Sequence, residues 1–356
     1  MKAVATAKKR ETLGDPTSLP PMEACLVAAL PEESGWQFEP KWDGFRCLAF
    51  RSGSEVDLRA KSGKPLARYF PEIVAGLHDV PLDPFVVDGE LAIAQGDVLS
   101  FDALQMRLHP AESRIRKLAR ETPAFLILFD ALALPGRPDL RNAPLTERRA
   151  ALEVAYAAAA AANPYLRLSP YTRRRTEAQR WLDRAGGAID GVVAKRFEEP
   201  YRPGERAMLK VKRMRTADCV VGGFRYERDS DFVGSLLLGL YNDAGRLDHV
   251  GFTSAIADRD KPALTKKLEK LISPPGFDGN APGAPSRWST ERSTEWQPLK
   301  PKLVVEVRYD HVTGNRFRHG TSIVRWRPDK APHQCGMEQL GREARPGKLI
   351  RQMMRT

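Results

Sequence analysis

Apolar positions along the chain gather into short runs separated by Gly, Pro, Asp and Asn clusters, as strands joined by turns do, with longer helical periods between them. Cys47 to Phe50 is followed by Arg51-Ser52-Gly53-Ser54, which reads as a hairpin turn and puts Lys41 at the mouth of the hairpin. Phe70-Pro71-Glu72 opens a helix whose buried side is Ile73, Val74 and Leu77. Phe85 to Ile93 predicts a strand, and Ala124-Phe125-Leu126-Ile127-Leu128-Phe129-Asp130 a fully buried one ending in an aromatic and an acid. A helix is predicted from Leu145 to Ala162, with Thr146 as its N-cap and an alanine run from Ala157 onward. A second helix closes at Gly186-Gly187, ahead of an apolar strand from Ile189 to Lys195. Met208-Leu209-Lys210-Val211-Lys212 alternates apolar and cationic residues, which places both lysines on one face of a strand.

The pattern changes after Arg213-Met214-Arg215-Thr216, which reads as a hinge. Short strands follow at Cys219 to Phe224, Ser235 to Tyr241 and Asp248 to Phe252, then an amphipathic helix with Leu264, Leu268, Leu271 and Ile272. Val304 to Tyr309 and Ser322 to Arg327 complete five strands and one helix, the inventory of an OB-fold β-barrel. The Pro/Gly/Ala stretch from Ser273 to Ser286 reads as an insertion. At 356 residues the chain is long for one core. The expected division is a flexible tail over 1–20, a first domain over 21–214, the OB-fold domain over 215–340 and a C-terminal tail over 341–356.

Composition narrows the classes. A hydrophobic fraction of 42% is that of a soluble globular protein. The net charge of +12, from 57 Lys and Arg against 45 Asp and Glu, suits a polyanionic partner. Between Arg292 and Lys330 nine Lys/Arg face four Asp/Glu, as befits a face laid on a phosphate backbone. The four cysteines form no C-x-x-C pair, and the six histidines show no metal-ligand spacing. No apolar stretch has the length of a signal core or a membrane span.

The chemistry lies where charge interrupts the apolar pattern. Glu39-Pro40-Lys41-Trp42-Asp43-Gly44-Phe45-Arg46 sets a lysine at fixed spacing from Asp-Gly and Arg. A lysine that is partly desolvated and crowded by cations loses its proton and becomes a nucleophile, and Arg46 is close enough to hold a phosphate or ribose oxygen. Read alone, the stretch also fits a surface hairpin with a charged turn. Asp88 and Glu90 place two acids around a glycine on an apolar strand, a costly choice unless they are paired or bind metal. Lys210 and Lys212 side by side repel unless phosphate lies between them. Arg59 at a strand end is a further cation of this kind, with a solvated side chain as its plain alternative, and Phe129 offers either core packing or a stacking surface for a base.

Taken in order, Lys41 to Arg46, Arg59, Asp88-Gly89-Glu90, Phe129-Asp130, Asp190-Gly191-Val192-Val193-Ala194-Lys195, Lys210-Val211-Lys212 and Arg327-Pro328-Asp329-Lys330 resemble the motif series of the covalent nucleotidyltransferases, and among them the ATP-dependent DNA ligases of the bacterial stand-alone kind called ligase C. The resemblance runs from about residue 20 to about 340. It implies an α+β fold, a nucleotidyltransferase (adenylation) domain of antiparallel sheets and flanking helices followed by a β-barrel OB-fold domain. It implies Lys41 as the residue that takes AMP, Arg46 and Glu90 on the ribose, Phe129 stacked on adenine, Glu39 at the adenine edge, and Lys210 and Lys212 on the α-phosphate. By the same resemblance Arg59 meets a DNA 5′-phosphate, Asp190 and Glu90 hold Mg²⁺ or Mn²⁺, and Arg327, Asp329 and Lys330 orient pyrophosphate. The family carries glutamate where this chain has Asp190, one methylene shorter.

The implied co-substrate is ATP and the implied partner nicked duplex DNA, sealed in repair and recombination, with a repair polymerase or end-binding protein recruiting the enzyme. About 40 residues precede Lys41, short of the nicotinamide-binding domain of NAD-dependent ligases. The rival readings are an RNA ligase or GTP-using capping-type enzyme and, in another class, a non-catalytic OB-type nucleic-acid-binding protein.

Overall fold

A computed structural model describes residues 19–96, 98–137, 139–160, 163–185, 189–283 and 295–340. The predicted tails over 1–18 and 341–356, the closing Gly186-Gly187 and the end of the insertion lie outside these residues. The chain divides into two compact units after Lys212.

The first unit contains, in chain order, β1 (Ala24–Leu26), β2 (Trp36–Trp42), β3 (Phe45–Ser52), β4 (Glu55–Ala60), α1 (Pro71–His78), β5 (Phe85–Ala92), β6 (Ala94–Gln95), β7 (Val98–Leu99), α2 (Phe101–Arg107), α3 (Glu112–Glu121), β8 (Phe125–Ala133), α4 (Leu145–Ala160), β9 (Leu166–Leu168), α5 (Arg175–Asp183), β10 (Ile189–Arg196) and β11 (Met208–Lys212). Two sheets dominate: a five-stranded one in the order β4-β3-β5-β8-β9 and a four-stranded one in the order β1-β11-β10-β2. Pairing is antiparallel except for the two edge pairs, β8 with β9 and β1 with β11.

Period-two alternation sorts the side chains. On β3, Cys47 and Ala49 enter the main core with Ile73, Leu77, Leu104 and Leu152 from the helices, whereas Leu48 and Phe50 join Met22, Val86, Tyr201 and Met208 in a second cluster on the other face. On β2, Phe38 packs with Val192, Ala194 and Ala178, and Gln37, Glu39 and Lys41 point the opposite way. Helix α1 buries Ile73 and Leu77 as predicted, and every residue of β8 is buried. Helix α4 starts at Leu145, ahead of the predicted cap; the Thr146 amide donates to Phe197 O at 3.0 Å.

The second unit contains β12 (Arg215–Tyr226), β13 (Val233–Tyr241), β14 (Leu247–Thr253), α6 (Lys261–Glu269), β15 (Gln297–Pro298), β16 (Val304–Tyr309), β17 (Val312–Thr313), β18 (Arg316–Phe317) and β19 (Ser322–Trp326). Its sheet runs β14-β13-β12-β16-β19, and a bridge from Thr253 to Thr321 joins the two edges, so the sheet curls on itself as in an OB-like barrel. Strand β12 begins earlier than predicted: Arg215 and Thr216 pair with Tyr309 and Arg308, because the sheet continues the alternation that the sequence left to a hinge. In α6 Leu268 is buried, but the helix ends at Glu269, and Ile272 is 41% exposed. Among the described residues no helix is long and apolar enough to cross a membrane.

Two glycines near the first unit's cavity are required by close approach. A Cβ on Gly44 would lie 2.1 Å from Leu91 O, and one on Gly191 would lie 2.0 Å from Val211 O. Gly191→Ala therefore forces β10 away from β11 and is expected to cost about 1–3 kcal/mol, the range of overpacked sites. Chemical denaturation checks this, and an unchanged midpoint would refute it.

Candidate active site

Strand β2 does not belong to the hairpin of β3 and β4; it pairs with β10 in the four-stranded sheet. Asp43 and Gly44 carry the chain from one sheet to the other, so Lys41 and Arg46 arrive from different sheets. Between them lies a cavity of about 260 Å³ whose lining includes Glu39, Lys41, Arg46, Glu90, Phe129 and Lys210, all singled out in the sequence. Lys61, Lys195 and Glu23 line it too. The lining holds five cations, Lys41, Arg46, Lys61, Lys195 and Lys210, against three carboxylates, Glu23, Glu39 and Glu90, a balance suited to a polyanion.

The register explains how Asp190 comes to Lys41. Lys41 is paired with Gly191 and Trp42 with Ile189, and the register shifts in between, so Asp190 is the extra residue of a bulge. The Lys41 ammonium donates to Asp190 Oδ2 at 2.8 Å, and Lys212 Nζ lies 3.9 Å from the same oxygen. Burial alone pushes the Lys41 pKa down, but Asp190, Glu90 and Asp43 together raise it above the usual lysine value. The neutral, cation-crowded amine expected from the sequence is thus corrected: carboxylates outweigh cations around Lys41. The crowding acts instead on Lys210, whose pKa is lowered by burial and then by Lys41, Lys212 and Lys61.

Arg46 is fixed from below. Asp88 is fully buried and takes Arg46 Nε and Nη2 at 2.6 Å each, while its Oδ2 also accepts from the Tyr201 hydroxyl at 2.6 Å. A bidentate pair with a third donor satisfies a carboxylate that would be costly alone. Phe129 is the extra residue in the β8 register between Asp130 and Leu128. The Arg46 guanidinium lies 4.5 Å from its ring centroid and Lys195 Nζ 4.7 Å. Buried Glu39 meets Lys195 at 2.8 Å and accepts from Gln37 Nε2 at 2.9 Å.

Glu90 is raised to about 7, first by burial, with Lys41 and Arg46 opposing and Asp43 and Asp88 reinforcing the shift. Carboxylate oxygens of Asp43 and Asp190 lie within 4.8 Å of each other. Such carboxylate oxygens are the hard donors that suit a divalent cation such as Mg²⁺ or Mn²⁺.

Arg59 is not among the cavity's lining residues; its Nε is paired with Asp57 on the same strand. Arg327, Asp329 and Lys330 belong to the second unit. There Asp329 pairs with Arg327 at 2.8 Å, and Lys330 with Asp218 at 2.8 Å. The basic run Arg173–Arg175 is engaged internally, on the Phe197 ring, Glu177 and Glu32. The sequence marked Asp88 as an acid in need of a partner and carried Asp43 and Lys195 within its motifs, but gave none of the three a site role and did not point to Tyr201. For Asp43 the signal was parity with Lys41, masked by its place in an Asp-Gly pair that reads as a turn; Tyr201 carries no signal in the sequence.

The chain matches two family models, described as the ATP dependent DNA ligase domain over residues 21–212 and the ATP dependent DNA ligase C terminal region over residues 229–330. It is 44% identical to DNA ligase C2 of Mycolicibacterium smegmatis over 340 residues, covering 90% of this chain and 95% of that protein. It is 43% identical to DNA ligase C of Mycobacterium tuberculosis over 337 residues, covering 90% and 93%. A solved structure from a study of Lig E DNA ligases shares the fold with a TM-score of 0.55 at 16% identity, over 86% of this chain and 100% of that one.

The Glu90 environment has a direct readout. Its carboxyl is neutral below pH 7 and ionised above, so the cavity gains one negative charge as pH rises through about 7. Lys41→Ala removes the leading opposing cation and should move the midpoint upward. Carboxyl ¹³C NMR follows both titrations, and a Glu90 midpoint at the ordinary value of 4.5 would refute the assignment.

Proposed function

The chain belongs to the ATP-dependent DNA ligase family, and from that premise we propose that it seals nicks in duplex DNA through lysyl-AMP and DNA-adenylate intermediates, with Lys41 as nucleophile. The observation that supports this most is Lys41 itself, held at 2.8 Å by Asp190 on the wall of a cavity rich in cations. Three displacements at phosphorus follow. Lys41 Nζ attacks the α-phosphorus of ATP and pyrophosphate leaves; a 5′-phosphate oxygen at the nick takes the AMP from the lysine; the adjacent 3′-hydroxyl displaces AMP and closes the strand. Negative charge spreads over phosphorus in each step, so cations dominate the catalytic apparatus.

In this reading Phe129 stacks on adenine, Glu39 lies at its edge, and Arg46 and Glu90 take the ribose. Asp88, itself held by the Tyr201 hydroxyl, keeps the Arg46 guanidinium aimed. Lys210 and Lys212 meet the α-phosphate, and Arg59 leaves Asp57 for the DNA 5′-phosphate. Asp190, with Glu90 and Asp43 beside it, would hold Mg²⁺ or Mn²⁺, whose charge offsets the carboxylates that keep Lys41 protonated. We assign the adenylation domain to 21–214 and the OB domain to 215–340. The enzyme would act as a monomer in the cytosol, on nucleoid DNA, brought there by a repair polymerase or end-binding protein.

Incubation with α-labelled ATP and Mg²⁺, then with a nicked duplex, tests the assignment. Label should pass from ATP to protein and then to DNA; label retained from GTP would favour a capping-type enzyme. Lys41→Ala should abolish the adduct and leave the fold intact, and adduct formation by this folded variant would rule out Lys41. Arg327, Asp329 and Lys330 orient pyrophosphate and so serve the first step alone. Asp329→Ala and Lys330→Ala should cut lysyl-AMP formation by about 10²-fold or more, the scale for losing a group that stabilises developing charge, and spare sealing of a nick already carrying 5′-AMP. Equal loss in both reactions would refute that division.

A further inference from the structure

The second unit carries an acid that the motif series does not contain. Asp218 lies on β12 between Ala217 and Cys219, which both enter the core. Its side chain, 12% exposed, accepts from Arg327 Nη1 at 2.9 and 3.0 Å and from Lys330 Nζ at 2.8 Å. Its backbone is clamped as well: the Asp218 amide donates to Gln339 Oε1 at 3.0 Å, and Gln339 Nε2 donates to Asp218 O at 3.1 Å.

This arrangement separates two cations that the sequence treats alike. Arg327 has all three of its side-chain nitrogens on carboxylates, Nε and Nη2 on Asp329 and Nη1 on Asp218. Lys330 has three N–H bonds on one nitrogen, and the contact with Asp218 Oδ2 occupies one of them. Two like charges drawn to one carboxylate would spread apart without it. Glu306 lies 4.0 Å from Arg327 Nη1 and is itself paired with Arg325, so three acids face three cations and Lys330 is held in place without an excess of opposite charge.

We infer that Asp218 is a positioning residue for the first chemical step: it fixes the Lys330 ammonium, with donors to spare, for the oxygens of the departing pyrophosphate, while Arg327 and Asp329 brace the carboxylate end of the cluster. The inference rests on the proposed role of Lys330 in nucleotide activation. It accounts for the contact of Arg327 Nη1 with both Asp218 oxygens and for the double Gln339 clamp, which an acid serving only as a surface partner would not need.

Asp218→Asn keeps the shape and removes the charge. Misplacing a reacting group by about 1 Å costs on the order of a hundredfold, so lysyl-AMP formation from ATP should fall by about 10- to 100-fold. Pyrophosphate-driven discharge of the preformed adduct is the same step reversed and should fall equally, whereas sealing of a 5′-adenylated nick should stay within about twofold. Asp218→Glu, which keeps the charge, should recover part of the loss, and Gln339→Ala should reproduce a smaller loss in the same step. Lys330→Ala serves as the reference. If it slows the first step and Asp218→Asn does not, the inference falls alone. If Lys330→Ala spares the first step, the role of Lys330 falls and this inference with it. Equal loss of both reactions in Asp218→Asn, together with a lowered melting temperature, would assign Asp218 to the fold and overturn its positioning role.

Discussion

The ion pair between Lys41 and Asp190 organises the first unit. It requires that β2 and β10 run antiparallel in one sheet, that β10 bulge by one residue at Asp190, and that Gly191 leave room for the Val211 carbonyl. Each requirement is local, yet together they fix the four-stranded sheet. That sheet buries Phe38, Val192 and Ala194 on one face and turns Glu39, Lys41 and Lys210 to the cavity on the other. The same pair sets the chemistry. In the proposed reaction a lysine held by a carboxylate would be placed for attack and at the same time kept charged, so its activation would depend on offsetting that carboxylate.

The opposite wall is governed by Asp88. A carboxylate with no exposure at all is tolerable only with its lone pairs filled, and Arg46 and Tyr201 fill them. Arg46 is thereby fixed against Phe129, and the ring in turn lies beside Lys195, which holds Glu39. One chain of contacts thus runs from a buried acid to the residues assigned to ribose and base. The cost of burying Asp88 is offset by its three hydrogen bonds, which also hold Arg46 rigidly in the cavity wall.

A parallel construction recurs in the second unit, where Asp218 gathers Arg327 and Lys330 as Asp88 gathers Arg46 and Tyr201. In both cases an acid sets the geometry of the cation in front of it, and each of these acids belongs to the scaffold of its own unit.

The sequence by itself determined the elements and the nature of the chemistry. Alternation gave the strands, the break at residues 213–216 gave the division, and charges set into apolar strands at Lys41, Glu90 and Lys210 marked the cavity, because a core strand has no use for them. It also placed Lys41 in a hairpin and left Arg215 and Thr216 to a hinge, since strand partners are not written in local pattern. Only the tertiary structure decided the balance of charge: whether Lys41 feels cations or carboxylates depends on a one-residue bulge in a strand about 150 residues away. For the same reason Tyr201 and Asp218 were illegible. Their importance lies in what they touch at long range, and an electrostatic field falls off with distance through space, not along the chain.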